Sequence, residues 1–206
     1  MTLQAPLILK LGGSLVETGR IGPILDIVAR STHPIAVVPG GGPFTDAVRG
    51  AQKEIGYSDA AAHRMAILAM HQMAILFLAL QPKLVPAETL ADFTQAWEQE
   101  RVPVWLPLRL SENDQDVPAD WSITSDGLAA RLAERLGGRS VVLVKSCRVA
   151  PGVTPAELAR DGVVDPAFAD IVTRAGLDWL ILGPGEEVEL ARLIGAAPKK
   201  AELSSS

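Results

Sequence analysis

The chain has 206 residues, 48% of them hydrophobic, and a formal net charge of −5 at pH 7. That length allows one large core or two small ones, and the lack of a grouped Lys/Arg patch excludes a surface for nucleic-acid backbones. One cysteine, Cys147, excludes an internal disulfide, and no residue cluster has metal-ligand spacing. No charged region precedes an apolar core at the N-terminus. The most apolar stretch, Met65–Leu80, holds His71 and Gln72 and is short for a bilayer span. A soluble, cytoplasmic protein with neither nucleic-acid nor membrane partners is expected.

Leu7–Leu11 reads as a buried strand carrying a single lysine, Lys10, and it breaks at Gly12, Gly13 and Ser14. Paired glycines let backbone N–H groups approach a phosphate with no Cβ in the way, and Lys10 adds a mobile positive charge at the strand's mouth. The spacing is neither a Walker A loop nor a dinucleotide fingerprint. Ile21–Ala29 has the apolar spacing of a short helix, and Ser31–Pro34 ends it. A second buried strand, Ile35–Val38, runs into Gly40, Gly41 and Gly42. A helix starting at Pro43 or Phe44 and running to about Lys53 would aim its positive end at the same anion.

Ser58 or Asp59 can cap the helix Ala60–Leu80, which is apolar almost all round. Such a helix is buried in a core or in an interface between copies, so a homo-oligomer is expected. Packing is the simplest role for His71. His63 and Arg64, placed in the helix's first turn, are candidates for binding a substrate phosphate, with a surface or interface role as the alternative. Lys83–Val85 and Val104–Pro107 read as strands around a helix, Ala87–Arg101, and Ser111–Asp120 reads as a polar surface loop. Thr124 or Ser125 would cap the next helix, Gly127–Leu136, leaving Asp126 in its first turn. There Asp126 complements the helix dipole, or orients lysines or the magnesium of a nucleotide.

Gly137 and Gly138 end that helix, and Ser140–Val144 is a buried strand with Lys145 at its C-terminal end. Ligands collect beyond such ends in open α/β sheets, which favours Lys145 over Arg148 as a site residue. A short helix, Pro155–Arg160, a helix Phe168–Ala175, a strand Trp179–Leu182 and a helix Glu186–Ile194 follow, then a disordered tail, Pro198–Ser206. Strands alternating with helices specify an α/β fold, a three-layer α/β/α sandwich with a mainly parallel central sheet, as a single domain over residues 1–197.

KLGGSL (Lys10–Leu15), VVPGGG (Val37–Gly42), ITSDGLAARLA (Ile123–Ala133) and VVLVK (Val141–Lys145) occur in that order. Together they resemble the amino acid kinase family, which includes acetylglutamate, uridylate and isopentenyl phosphate kinases. The resemblance implies ATP and Mg²⁺ as cofactors and a small phosphorylated substrate. It makes Lys10 the group that stabilises the transferring phosphoryl, with Asp126 organising the catalytic lysines. Gly12, Gly13, Ser14, Gly40, Gly41 and Gly42 would hold the nucleotide phosphates, and Thr124 and Ser125 would lie near the phosphates or the acceptor. One departure stands out: many family members carry a second lysine late in the chain, whereas Gly183–Glu189 reads GPGEEVE. Either Lys145 takes that duty or nucleotide contacts are reduced.

Within the family, the short chain, the run Ser58–Gln72 and WSITSD are most similar to the branch that converts an aminomethylfuran-methyl phosphate to its diphosphate. An acceptor that is already a phosphate needs no general base, and Asp59 or Asp46 would receive its amine. The alternatives are a kinase for a carboxylate or for isopentenyl phosphate, or a non-catalytic ligand-binding or storage protein on the same fold.

Overall fold

In the first strand, Leu7, Leu9 and Leu11 enter one hydrophobic core while Ile8 enters another, so successive side chains feed opposite sides of a sheet. The computed structural model describes residues 5–196; the expected C-terminal tail lies outside them. In chain order the elements are β1 (Leu7–Leu11), α1 (Ser14–Glu17), α2 (Ile21–Val28), β2 (Ile35–Pro39), α3 (Gly42–Ile55) and α4 (Asp59–Leu80). Next come β3 (Leu84–Ala87), α5 (Leu90–Glu98), β4 (Val102–Trp105), α6 (Leu108–Glu112) and α7 (Ser125–Leu136). The chain closes with β5 (Ser140–Val144), α8 (Pro155–Arg160), α9 (Pro166–Ala175), β6 (Asp178–Leu182) and α10 (Glu187–Leu193).

The six strands form one sheet in the order β3-β4-β2-β1-β5-β6, and every pairing is parallel. Parallel strands need crossover helices, which cover both faces and make three α/β/α layers. One core joins Ile8, Val38, Val141 and Leu143 to α7 and α9 through Leu128, Leu132, Phe168 and Val172. The other joins Leu9, Val37, Val142 and Val144 to α2, α4 and α10 through Ile24, Phe77 and Leu190. From β1 the chain moves to β2 on one side and returns as β5 on the other. The crevice beyond the carboxyl ends of β1 and β5 is thus a topological switch point.

Several elements differ from expectation. The helix expected over Ala87–Arg101 begins only at Leu90, because β3 extends to Ala87 and Thr89 and Asp92 form a capping box. The strand expected at Val104–Pro107 lies two residues earlier and holds Pro103, which has no N–H to give; its pairing with β2 is confined to Val37 and Val104. Helix α4, by contrast, runs from Asp59 to Leu80, one residue longer than the expected Ala60–Leu80, and Ser58 caps it by accepting the Ala61 N–H. Its 22 residues are long and apolar enough to cross a membrane by length and composition, yet one face, including Ala62, Met73 and Phe77, is buried in the fold.

The acidic stretch expected as a surface loop, Ser111–Asp120, begins as the last two residues of α6 and then turns one carboxylate inward. Asp114 accepts two hydrogen bonds of 2.8 Å from the Arg131 guanidinium and faces Arg135, with only 6% of its side chain exposed. Hydrogen bonding to Arg131 holds the Asp114 carboxyl below the usual carboxylate range, against the opposing effect of burial. A depressed carboxyl contributes stability above the unfolded-state pKa and loses it as pH falls through the folded value. Asp114→Asn is therefore expected to lower stability by about 2 kcal/mol near neutral pH. Thermal melts of both proteins over a pH series check this, and the difference should shrink as pH falls below the ordinary carboxylate range.

Candidate functional site

Lys10 shares the face of β1 with Ile8, which points it toward α7. The first turn of α7 carries Asp126 at that place. Lys10 Nζ lies 2.8 Å from Asp126 Oδ1, and Lys145 Nζ lies 2.6 Å from Oδ2, so a single carboxylate bridges two ammoniums. Lys10 is 5% exposed and Asp126 4%. Lys145, just beyond β5, also donates to the Val163 carbonyl oxygen. Burial by itself would raise the Asp126 carboxyl, but the Lys10 and Lys145 ammoniums outweigh it and hold the group below its ordinary value. Burial and the nearby Lys10 charge push Lys145 below the usual lysine value, with Asp126 opposing them. The three groups form one coupled charge cluster at the switch point.

The two glycine loops touch each other beside this cluster. A Cβ on Gly13 would lie 2.2 Å from Gly42 Cα, and one on Gly40 would lie 2.7 Å from Gly13 N. Gly42 also holds φ +54°, a left-handed backbone that favours glycine. The expected donor set is narrower than the motifs implied. Gly12 N–H donates to Val144 O at 2.9 Å and Gly40 N–H to Leu11 O at 2.8 Å, so these two staple the loops to the strand ends. That corrects their expected role as phosphate donors. The N–H groups of Gly13, Gly41 and Gly42 make no main-chain bond among the described residues, and they fit an anion at the start of α3.

A cavity of about 230 Å³ opens from these glycines. Gly13, Ser14, Gly41 and Gly42 form one side of it, and Thr124 and Ser125 at the start of α7 form another. His63 of α4 lines it as well, and its Nε2 is buried without a partner among the described residues. Burial pushes the His63 imidazole below its ordinary pKa while Asp120 acts in the opposite direction, which favours the neutral ring at pH 7. Because α4 begins at Asp59, His63 stands past the first turn, away from the dipole end where it was expected. Arg64 does not reach the cavity. Its guanidinium is on the exposed side of α4, 2.8 Å from Glu112 Oε1, since adjacent helical residues point about 100° apart. Asp46 lines the cavity; Asp59 instead accepts from Gln52 Nε2 outside it.

Among the described residues no group of three or more His, Cys, Asp or Glu is placed to hold a metal. Each Asp126 oxygen faces a lysine. The groups that fit a triphosphate are the two ammoniums and the three glycine N–H groups.

Residues 6–148 match the amino acid kinase family. The chain belongs to the amino acid kinase family. It is 26% identical over 138 residues to the [5-(aminomethyl)furan-3-yl]methyl phosphate kinase of Methanocaldococcus jannaschii. That match covers 66% of this chain and 63% of the relative, less than two thirds of the relative's length. Among solved structures, uridylate kinase from Archaeoglobus fulgidus superposes with a TM-score of 0.67 at 18% identity, over 92% of this chain and 95% of that one. An isopentenyl phosphate kinase gives 0.62 at 14% identity, over 93% and 97%. Carbamate kinase from Giardia lamblia bound to AMP-PNP gives 0.54 at 12%, over 93% and 96%. At these identities the structural likeness is one of fold.

In this amino acid kinase family member the cavity is also lined by Thr45 and Arg49 of α3, which belong to none of the motifs above, and by Trp121 of WSITSD, to which no role had been assigned. The Arg49 guanidinium lies 4.7 Å from the Trp121 ring centroid, and the Trp121 indole N–H donates to Gln52 Oε1 at 2.8 Å. Arg49 follows the glycine loop by two helical turns, and Trp121 opens the WSITSD run that also holds Thr124 and Asp126.

Gly13→Ala forces backbone against backbone and is expected to cost about 3 kcal/mol. Gly50→Ala, in the interior of α3 with open space around it, should instead gain about 0.5–1 kcal/mol. Denaturant titrations of the two variants give both numbers.

Proposed function

We propose that this chain is an ATP-dependent kinase that extends a small phosphomonoester to its diphosphate. The best candidate acceptor is [5-(aminomethyl)furan-3-yl]methyl phosphate, in the biosynthesis of a methanofuran-type cofactor. The observation that carries the reading is the Lys10–Asp126–Lys145 cluster, which sits beside the joined glycine loops; Gly13, Gly40, Gly41 and Gly42 of those loops line the cavity, as do Thr124 and Ser125 next to Asp126.

In this reaction an acceptor phosphate oxygen attacks the γ-phosphorus, the bond to the β-phosphate oxygen breaks, and ADP leaves. The attacking oxygen is already ionised near neutral pH, so no base has to remove a proton. That agrees with a neutral His63 that hydrogen-bonds rather than abstracts. Phosphoryl transfer asks a protein mainly for alignment and charge stabilisation. Lys10 is placed to stabilise charge on the transferring group, and Lys145 supplies the second ammonium that Gly183–Glu189 lacks. Asp126 holds both, and the Gly13, Gly41 and Gly42 N–H groups hold phosphate oxygens in line. Mg²⁺ enters with the nucleotide as part of the substrate.

Among the cavity's lining residues, His63 and Arg49 take the place of the expected His63–Arg64 pair as the acceptor-phosphate contacts. Asp46 offers a carboxylate to an amine. The apolar wall of Ile67, Met70, Ile123 and Leu128 favours, as a second reading, an isoprenoid monophosphate.

Helix α4 also carries an exposed stripe, Ala61, Met65, Leu68, Gln72, Ile75 and Ala79, spaced alternately by four and three residues. That is the spacing of a helix–helix seam, and a second copy of the chain is our proposed occupant. Partners are otherwise small molecules.

Lys10→Ala is expected to lower kcat about 100-fold or more in a folded protein, read by ADP release with a panel of furan, isoprenoid and nucleoside monophosphates. Unchanged turnover would remove Lys10 from the mechanism. Arg49→Ala should raise the acceptor KM about tenfold while sparing that for ATP, and Arg64→Ala should leave both within about twofold. Light scattering of Leu68→Arg should show a monomer where the parent protein is larger; equal masses would argue against the α4 interface.

A further inference from the structure

Asp165 is a buried carboxylate, 7% exposed, that belongs to none of the motifs read from the sequence. It caps α9 by accepting the Phe168 N–H on Oδ1 at 2.9 Å. Its other oxygen serves a different helix. Oδ2 accepts the Thr124 N–H at 2.9 Å, the Thr124 hydroxyl at 2.7 Å and the Gly127 N–H at 2.9 Å. Thr124 is the residue at the N-cap of α7, yet its own side chain makes no capping bond. The start of α7 is thus capped from outside by a residue far along the chain. A Cβ on Gly127 would stand 2.5 Å from Asp165 Oδ1, which leaves the carboxylate no room at that position for any residue but glycine.

These bonds bracket Asp126, between Thr124 and Gly127. Two residues before Asp165, the Val163 carbonyl receives Lys145 Nζ, and two residues after it the Ala167 N–H donates to Ser122 O. The strap from Val163 to Ala167 therefore touches Lys145 and both flanks of the α7 start. Burial, and after it the nearby Asp126 charge, raise the Asp165 carboxyl above its ordinary value, while its hydrogen bonds oppose this. A group kept at such a cost for helix capping alone would be unusual, because an exposed Ser, Thr or Asp caps as well.

We infer that Asp165 is a positioning residue of the phosphoryl-transfer site: by clamping Thr124 and Gly127 it fixes Asp126, and through Asp126 the two lysines. The inference rests on the kinase reading for its consequence, but not for the coupling between Asp165 and Lys145. An Asn at this position cannot satisfy the site. Its one oxygen replaces either Oδ1 or Oδ2, and its amide nitrogen then faces an N–H donor.

The test compares Asp165→Asn with Thr89→Ala, which removes a cap from α5 away from the site. Both should melt at lower temperature. Asp165→Asn should lower kcat about tenfold or more with ATP and acceptor KM within about twofold, whereas Thr89→Ala should leave kcat unchanged. Asp165 is no direct neighbour of the Lys145 charge, so displacement of Asp126 is read by NMR titration of the Lys145 Nζ. It should move to lower pH by about half a unit in Asp165→Asn and stay put in Thr89→Ala. If Asp165→Asn does not fold, Thr124→Val removes one clamp bond and should lower kcat without raising the acceptor KM, with Thr124→Ser restoring it. A kcat loss no greater than that of Thr89→Ala, or an unmoved Lys145 titration, overturns the inference. Should the parent chain transfer phosphate to none of the acceptors, the kinase reading fails while the Lys145 titration still decides the coupling.

Discussion

A carboxylate buried between two ammoniums is the constraint around which the molecule is arranged. An isolated lysine in the middle of an all-buried parallel strand would carry a desolvation cost of several kcal/mol. Lys10 is tolerated there because Asp126 stands 2.8 Å away. Asp126 is in turn kept ionised by a second lysine from the neighbouring strand end. Each lysine offsets part of the burial cost of the shared carboxylate. Their charges sum to one positive, directed toward the glycine loops: Lys10 Nζ lies 3.8 Å from where a Gly12 Cβ would be. An anion at this mouth meets a positive cluster that is already ordered, and electrostatic catalysis depends on that preorganisation.

The fold supplies the geometry through strand order more than through any one helix. With β1 between β2 and β5, the loops after β1 and β2 come together as a glycine contact, while the residue after β5 lands on the far side of the same crevice. The Gly12 and Gly40 N–H groups join these loops to the strand ends. Two of the glycines thus build the cradle and three remain to face a ligand. Arg20 locks the other rim by donating to the Lys145 and Gly183 carbonyls at 2.9 and 3.0 Å, with Glu187 on its remaining face.

The cavity is lined by the glycines, by Arg49 over the Trp121 ring, by His63, and by apolar side chains of α4 and α7. A neutral, unpartnered histidine nitrogen in such a place is an unmet hydrogen bond awaiting an acceptor or donor on a ligand.

Local pattern was enough for much of this. The strands Leu7–Leu11 and Ser140–Val144 and the helix Pro155–Arg160 have the same bounds in sequence and structure, because apolar runs closed by glycine or by a capping threonine depend on neighbours only a few residues away. Lys10, Asp126 and Lys145 were legible as candidates for the same reason: each is a charge placed where a buried strand ends or a helix begins. Pro103 concealed the true place of β4, and the acidic run after Glu112 concealed the inward Asp114, since both depend on partners distant in the chain. The choice of Arg49 over Arg64 depends on the rotation of two helices about their axes, and the clamp from Asp165 to Thr124 spans 41 residues. Sequence by itself determined which residues carry charge and which must bend the backbone. Only the tertiary structure decided which of them meet, because long-range pairing is fixed by strand order and helix rotation, and neither is written in any local stretch of chain.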